Sequence, residues 1–227
     1  MRVRSGDVRV LGTDPAKARP GWRARIGIVS QENASFPGLT VRDTVRHFAR
    51  YYPRPRDPDE VLSLVGLDGK SAAQAAQLSG GQLRRLDVAL GIIGNPEVLF
   101  LDEPTTGFAP EARRALWELI AQLSADGTTI LLTTHYLDEA EALADRIGLL
   151  FDGRLVDIGL PETVGGRQND LAQVHWDPPE GHQVVETATP TRTVTELAER
   201  YGGEVPGLRI SRATLEDVYL RLIGEHQ

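Results

Sequence analysis

Val98-Leu99-Phe100-Leu101-Asp102-Glu103-Pro104 decides the fold of this chain. Four consecutive apolar residues suit a fully buried strand. The two acids that follow stand at the strand's tip, and α/β proteins bind ligands at the carboxyl edge of their sheets. The flanking sequence keeps the same rhythm. Before it, Ser79 and Gln82 match a capping box that opens a helix to about Ile93, with Gly94-Asn95-Pro96 as its stop. After it, Glu111–Ser124 has helical spacing, Thr128–Thr134 reads as a second buried strand, Tyr136–Ala144 as a helix and Arg146–Phe151 as a strand. Strand alternating with helix predicts a parallel sheet with helices on its faces.

Working outward, Arg25–Ser30 reads as another strand and leads to Gln31. Residues 7–11 alternate polar and apolar and stop at Gly12, the pattern of a half-buried strand. Thr40 and Asp43 form a second capping box, after which Val41, Val45, Phe48 and Tyr52 recur on one helical face. Pro53–Pro58 breaks that helix, and Asp59–Val65 resumes as a short one. From about Gly165 to Gly181 the periodicity is lost and Gly, Pro, Asn and Asp gather, which reads as a linker. Beyond it, capping boxes at Thr193/Glu196 and Thr214/Asp217 open two amphipathic helices, Thr193–Tyr201 and Thr214–Ile223. With strands near Gln183–Thr187 and Gly207–Ile210 they predict a small α+β appendage. The expected organisation is an α/β body over 1–164 with a helical subdomain at about 38–95, a linker over 165–182, and the appendage over 183–227.

Bulk properties narrow the function. The 227 residues suffice for one large domain with a small addition. With 41% hydrophobic and 25% charged residues, the chain is of ordinary globular composition. A net charge of -7 argues against a nucleic-acid partner, since phosphate binding leaves a basic footprint. Cysteine is absent, which excludes disulfides and thiolate metal sites. No segment approaches the roughly 20 apolar residues of a membrane-spanning helix.

Three motifs carry chemistry, and each has a plain structural reading beside it. In a nucleotide hydrolase, Asp102 holds Mg²⁺ and Glu103 orients or activates the attacking water; acids and proline are equally common in surface turns. Leu78-Ser79-Gly80-Gly81-Gln82 places two glycines and free N–H groups at a helix start, where a phosphate is favoured; the same residues serve as a simple N-cap. His135 follows a strand and is placed to reach a γ-phosphate or a water; a lone histidine there is more often merely solvated or packed.

The order and spacing of these motifs distinguish the readings. Gln31, Leu78–Gln82, Asp102-Glu103 and His135 occur in the sequence, and at the intervals, of the ABC-type ATPases, which this chain resembles over nearly its whole length. The resemblance matches Gln31 to the Q-loop glutamine, Ser79–Gln82 to the signature motif, Leu99–Glu103 to Walker B, Pro104–Pro110 to the D-loop and His135 to the switch histidine. Thr105-Thr106-Gly107-Phe108, Thr133–Glu141 and the tail Thr214-Leu215-Glu216-Asp217-Val218-Tyr219 resemble bacterial drug exporters of the daunorubicin-resistance type.

The resemblance implies a P-loop-type parallel sheet with a helical subdomain, and the nucleotide-binding subunit of an exporter. It implies ATP and Mg²⁺ as cofactors, with Asp102 and Gln31 at the metal, Glu103 and His135 catalytic, and Gln31, Ser79, Gly80, Gly81 and Gln82 at nucleotide. Its implied partners are a membrane permease and a second ATP-binding subunit, identical or homologous, in a head-to-tail dimer at the cytoplasmic face of the membrane. The alternative is a non-catalytic partner that donates only its signature motif to a complete ATPase.

Two departures qualify it. The Walker A loop, Gly-x-x-x-x-Gly-Lys-Ser/Thr, does not occur: Gly69-Lys70-Ser71 has the tripeptide without the leading glycine or the preceding strand. Met1 falls where the family has passed its opening strands and P-loop, so a truncated or mis-started reading frame is the expectation. The second departure is Ala109, where the family has its D-loop aspartate.

Overall fold

A computed structural model describes residues 6–31, 36, 38–169 and 171–225. The chain divides into two compact units, residues 1–135 and 136–227.

In the first unit the elements in chain order are α1 (Pro20–Arg23), β1 (Ile26–Val29), α2 (Val41–Ala49), α3 (Pro58–Leu64), α4 (Gly80–Ile92), β2 (Val98–Asp102), α5 (Pro110–Ala125) and β3 (Thr129–Thr133). The strands form a parallel sheet in the order β1-β2-β3, with Ile26 beside Val98, Leu99 beside Ile130 and Asp102 beside Thr133. Of the two capping boxes read from sequence in this unit, Ser79/Gln82 forms in full, while at Thr40/Asp43 only the Thr40 cap forms. Thr40 Oγ1 accepts from the Asp43 N–H at 3.1 Å, and Ser79 and Gln82 exchange hydrogen bonds of 3.4 and 3.1 Å. Each such cap contributes about 1 kcal/mol.

α4 lies against β1, and two glycines set that distance. A Cβ on Gly27 would run into the Gly91 carbonyl, and one on Gly91 would come within 2.6 Å of Val29. Only a backbone without side chains at both places lets the helix approach so closely. The core on this side holds Val29, Leu86, Ile92, Leu99 and Leu101, all essentially inaccessible. α2 packs on α3 and α4, and Val41, Val45, Val61 and Leu62 of α2 and α3 are buried.

Two expectations are corrected in this unit. Residues 7–11 are not a strand: Leu11 and Gly12 both take positive φ (48° and 74°), and the chain reverses so that Val10 and Thr13 bond to each other. β2 and β3 are not fully buried. Ile28, Phe100 and Leu131 are neighbours across the sheet, and Ile28 and Leu131 are 67% and 56% exposed. Helices cover the face that holds Leu99 and Leu101, and among the described residues nothing covers the opposite one to the same degree. Among the described residues β3 is an edge, paired with β2 alone.

The second unit contains α6 (Leu137–Leu143), β4 (Ile147–Phe151), β5 (Arg154–Gly159), β6 (Ala172–Trp176), β7 (Gln183–Thr187), α7 (Pro190–Arg200), β8 (Arg209–Ser211) and α8 (Leu215–Glu225). β4 and β5 are an antiparallel hairpin, turned by Asp152 and Gly153 at positive φ. This Asp-Gly pair between apolar runs is the usual two-residue hairpin signal. The stretch expected to be a linker instead supplies β6, the centre of an antiparallel sheet ordered β7-β6-β8. Buried Val174 fastens β6 to Leu197 and Val205. The short run Ala172–Trp176 is too brief for its alternation to stand out among the flanking Gly, Pro and Asn. α7 begins at Pro190, so Thr193 does not cap it; its hydroxyl donates to Thr187 Oγ1 at 3.2 Å instead. The Thr214/Asp217 box does form. It starts α8, whose Leu215 and Val218 are buried with Ile147, Leu149 and Val164.

Candidate functional site

Parallel pairing brings the sequence motifs together. Val29 is level with Leu101, so Gln31 and Glu103, each two residues further on, emerge side by side. Gln31 Nε2 donates to Glu103 Oε2 at 2.9 Å. On the other flank, Asp102 is level with Thr133, and His135 follows two residues later. Its Nδ1 lies 3.4 Å from Glu103 Oε1. Thr106 Oγ1 also donates to Glu103 Oε2, at 3.2 Å. One carboxylate is thus touched from three directions, while 29% of its side chain stays accessible.

The backbone of Glu103 is unusual. Its φ is 45°, in a region that residues other than glycine seldom occupy. The N–H donates to the Thr133 carbonyl at 3.0 Å, which prolongs the β2–β3 ladder by one bond and holds the turn. Conformations of this kind cost roughly 1–3 kcal/mol and concentrate at functional sites. Asp102 sits one residue earlier, its Oδ1 accepting from Thr133 Oγ1 at 2.5 Å.

Sequence reading missed Arg84. It is on α4, five residues past Ser79, and only 5% accessible. Its guanidinium donates to the carbonyls of Asp102 (2.7 Å), Pro104 (3.1 Å) and Glu103 (3.3 Å), and to that of Ser30. Four carbonyls from the ends of β1 and β2 therefore converge on one planar cation, which suits the fork of donors on arginine. Burial lowers its pKa from the ordinary arginine value, with Asp87 and Asp102 opposing that shift. The signal that could have found it is helical: Arg84 shares a face with the buried Val88, Gly91 and Ile92.

The signature residues occupy the N-terminus of α4. Ser79 and Gly80 are exposed, and the side chains of Ser79 and Gln82 are engaged with each other across the cap. They do not join the Glu103 cluster directly; the connection runs through Arg84. The N-terminus of this 13-residue helix has the polarity to attract a phosphate.

The match to MgATP is incomplete. The oxygens of Asp102 and Gln31 are donors that a hard cation takes. Among the described residues the phosphate-cradling side has no counterpart: Gly69 and Lys70 lie in a short 3₁₀ turn between α3 and α4, and Ser71 caps it. Ala109 occupies the N-cap of α5 and provides no side-chain hydrogen bond there.

Comparison with known proteins agrees with this geometry. A family model described as ABC transporter matches residues 1–106. The Nod factor export ATP-binding protein I of Burkholderia thailandensis is 36% identical over 97% of this chain and 79% of its own length. That of Neorhizobium galegae is 37% identical over 97% of this chain and 70% of its own. A solved ATP-binding subunit of an ABC transporter superimposes with a TM-score of 0.67 at 20% identity, over 97% of this chain and 77% of that one. A dimeric ATP-binding cassette in a post-hydrolysis state, bound to ADP and Pi, superimposes with a TM-score of 0.61 at 23% identity, over 69% of this chain and 74% of that one. Fold, motif order and sequence converge: the chain belongs to the ATP-binding subunits of ABC transporters.

Proposed function

We propose that this subunit couples ATP binding and hydrolysis to export through a membrane permease. The observation that carries the reading is the convergence of Gln31 and His135 on Glu103 at a parallel sheet's carboxyl edge. In this reading Glu103 polarises the attacking water, and His135 holds Glu103 and the γ-phosphate in one geometry. Asp102 and Gln31 hold Mg²⁺, which supplies charge neutralisation on the phosphates. Ser79, Gly80, Gly81 and Gln82 present a helix N-terminus to nucleotide held by a second ATP-binding subunit, identical or homologous. Residues 1–164 are the ATPase portion, and 183–227 an addition whose α8 packs on β4. At the end of α2, His47, Phe48 and, in the turn that follows, Tyr51 stack edge-on at 5.3–6.0 Å, with Tyr51 68% exposed. That aromatic surface of the helical subdomain supports docking to the permease, and with it a peripheral place at the cytoplasmic face of the membrane.

A second reading, a non-catalytic partner that donates Ser79–Gln82 to a complete subunit, is favoured by the lack of a Walker A loop in the sequence. Calorimetry separates the two. The first reading predicts that the chain joined to a strand-borne Gly-x-x-x-x-Gly-Lys-Ser/Thr segment binds MgATP, and that Asp102→Asn weakens the binding. The second predicts no binding by that fusion, together with faster hydrolysis when the original chain is mixed with a complete subunit.

A further inference from the structure

We propose that His175 and His182 form a binding site for a divalent transition-metal ion of the Zn²⁺ or Ni²⁺ class. His175 lies on β6, on the face opposite the buried Val174, and His182 immediately precedes β7. The antiparallel register pairs Trp176 with Gln183, so the β6–β7 turn folds His182 back beside the end of β6. The rings stack with centroids 5.5 Å apart, and His175 Nδ1 lies 3.4 Å from His182 Nε2.

That separation is the edge of a tetrahedral coordination shell. Two imidazole nitrogens, each about 2.0–2.1 Å from one ion, stand about 3.3–3.4 Å apart. The outward-facing nitrogens are held as they are around bound metals. His182 Nδ1 is 2.7 Å from Asp177 Oδ1, and His175 Nε2 is 3.0 Å from Ser211 Oγ. A carboxylate on the far nitrogen fixes the tautomer and makes the ring a better donor. With Nδ1–H given to Asp177, His182 Nε2 presents a lone pair. His175 presents its own at Nδ1 once its proton sits on Nε2 and is donated to Ser211.

Asp177 is itself positioned. Its N–H donates to the Pro206 carbonyl at 2.8 Å. A Cβ on Gly207 would collide with its carboxylate, so that glycine makes the space the carboxylate occupies. Among the described residues no cluster of three or more His, Cys, Asp or Glu is placed to hold a metal. The protein ligands are therefore the two imidazoles, and water completes the shell; half of the His182 side chain is accessible. Imidazole donors select Zn²⁺, Ni²⁺ or Cu²⁺ over Mg²⁺. Bound metal would tie the β6–β7 turn to β6 and, through Ser211, to β8.

Calorimetric titration of the untagged 227-residue chain with Zn²⁺, without nucleotide, tests the proposal. Saturable one-to-one binding is expected, lost in both His175→Ala and His182→Ala. Asp177→Asn should weaken it by about 10-fold or more, and His47→Ala, His135→Ala and His226→Ala should leave it intact. Where an alanine variant loses far-UV helix signal, His175→Gln or His182→Gln takes its place. No saturable binding, or binding that survives loss of either His175 or His182, would overturn the proposal and leave the pair as a hydrogen-bonded contact with Asp177 and Ser211.

Discussion

Arg84 donates to the backbone carbonyl of Asp102 at 2.7 Å, which ties the helix that begins at the signature glycines to the tip of the acidic strand. The same guanidinium reaches Ser30, Glu103 and Pro104, so the segment after β1 and the segment after β2 share one clamp. Arg84 is thus the hydrogen-bonded link between α4 and the backbone of Glu103.

Arg84→Ala should destabilise the first unit by about 3 kcal/mol, because it strands several carbonyls away from water. Arg84→Lys should recover only part of this, since a compact ammonium cannot span four acceptors. Urea denaturation checks both. A loss below about 1 kcal/mol for the alanine variant would show that water satisfies those carbonyls.

Much of this site is legible in the sequence, and the reason is physical. Asp102, Glu103 and His135 follow apolar runs whose type is clear, so their place at a sheet edge follows from chain order. Ser79 and Gln82 announce their own cap. What escapes is what depends on partners distant in sequence. Arg84 shares a helical face with Val88, Gly91 and Ile92, but the carbonyls of Ser30, Asp102, Glu103 and Pro104 that it reaches lie on other elements. The exposure of Leu131 is hidden for the same reason: an apolar strand reads as covered whether or not a helix lies over it. β5 was findable from Asp152-Gly153, but β6 gave too little alternation.

Ala109 stands at the N-cap of α5 with no side-chain oxygen to offer. Ala109→Asp should raise stability by about 1 kcal/mol, as aspartate is among the best residues at this position and favours the positive end of the helix dipole. Thermal unfolding at neutral pH measures it. An unchanged midpoint would mean that the cap geometry does not admit the carboxylate.

Arg25 and Glu97 pair at 2.6 and 2.8 Å where β1 and β2 begin. The Arg25 hydrogen bond holds the Glu97 carboxyl below the ordinary range. A depressed carboxylate stabilises the fold above its unfolded pKa, and that contribution is lost as pH falls through the folded value. Stability measured from neutral to acid pH should therefore fall less steeply below pH ~4.5 in Glu97→Gln than in the parent chain. Parallel curves would show that this exposed pair contributes nothing.

Among the described residues β3 is an edge strand, and its Leu131 continues an apolar row with Phe100 and Ile28. Unpaired strand edges next to apolar surface template association with other chains. Amides of Thr129–Thr133 should exchange faster than those of β2, and the chain should self-associate as its concentration rises. Equal protection in a monodisperse monomer would contradict this.

The central claim is that Glu103 is the catalytic carboxylate of this fold and that phosphate anchoring is what the 227 residues do not supply. Steady-state phosphate release from a fusion carrying an added P-loop segment tests it most directly. The fusion should hydrolyse ATP where the original chain does not, and Glu103→Gln in the fusion should slow release by roughly 10²-fold or more while MgATP still binds. Equal rates in the fusion and its Glu103→Gln variant would contradict the account.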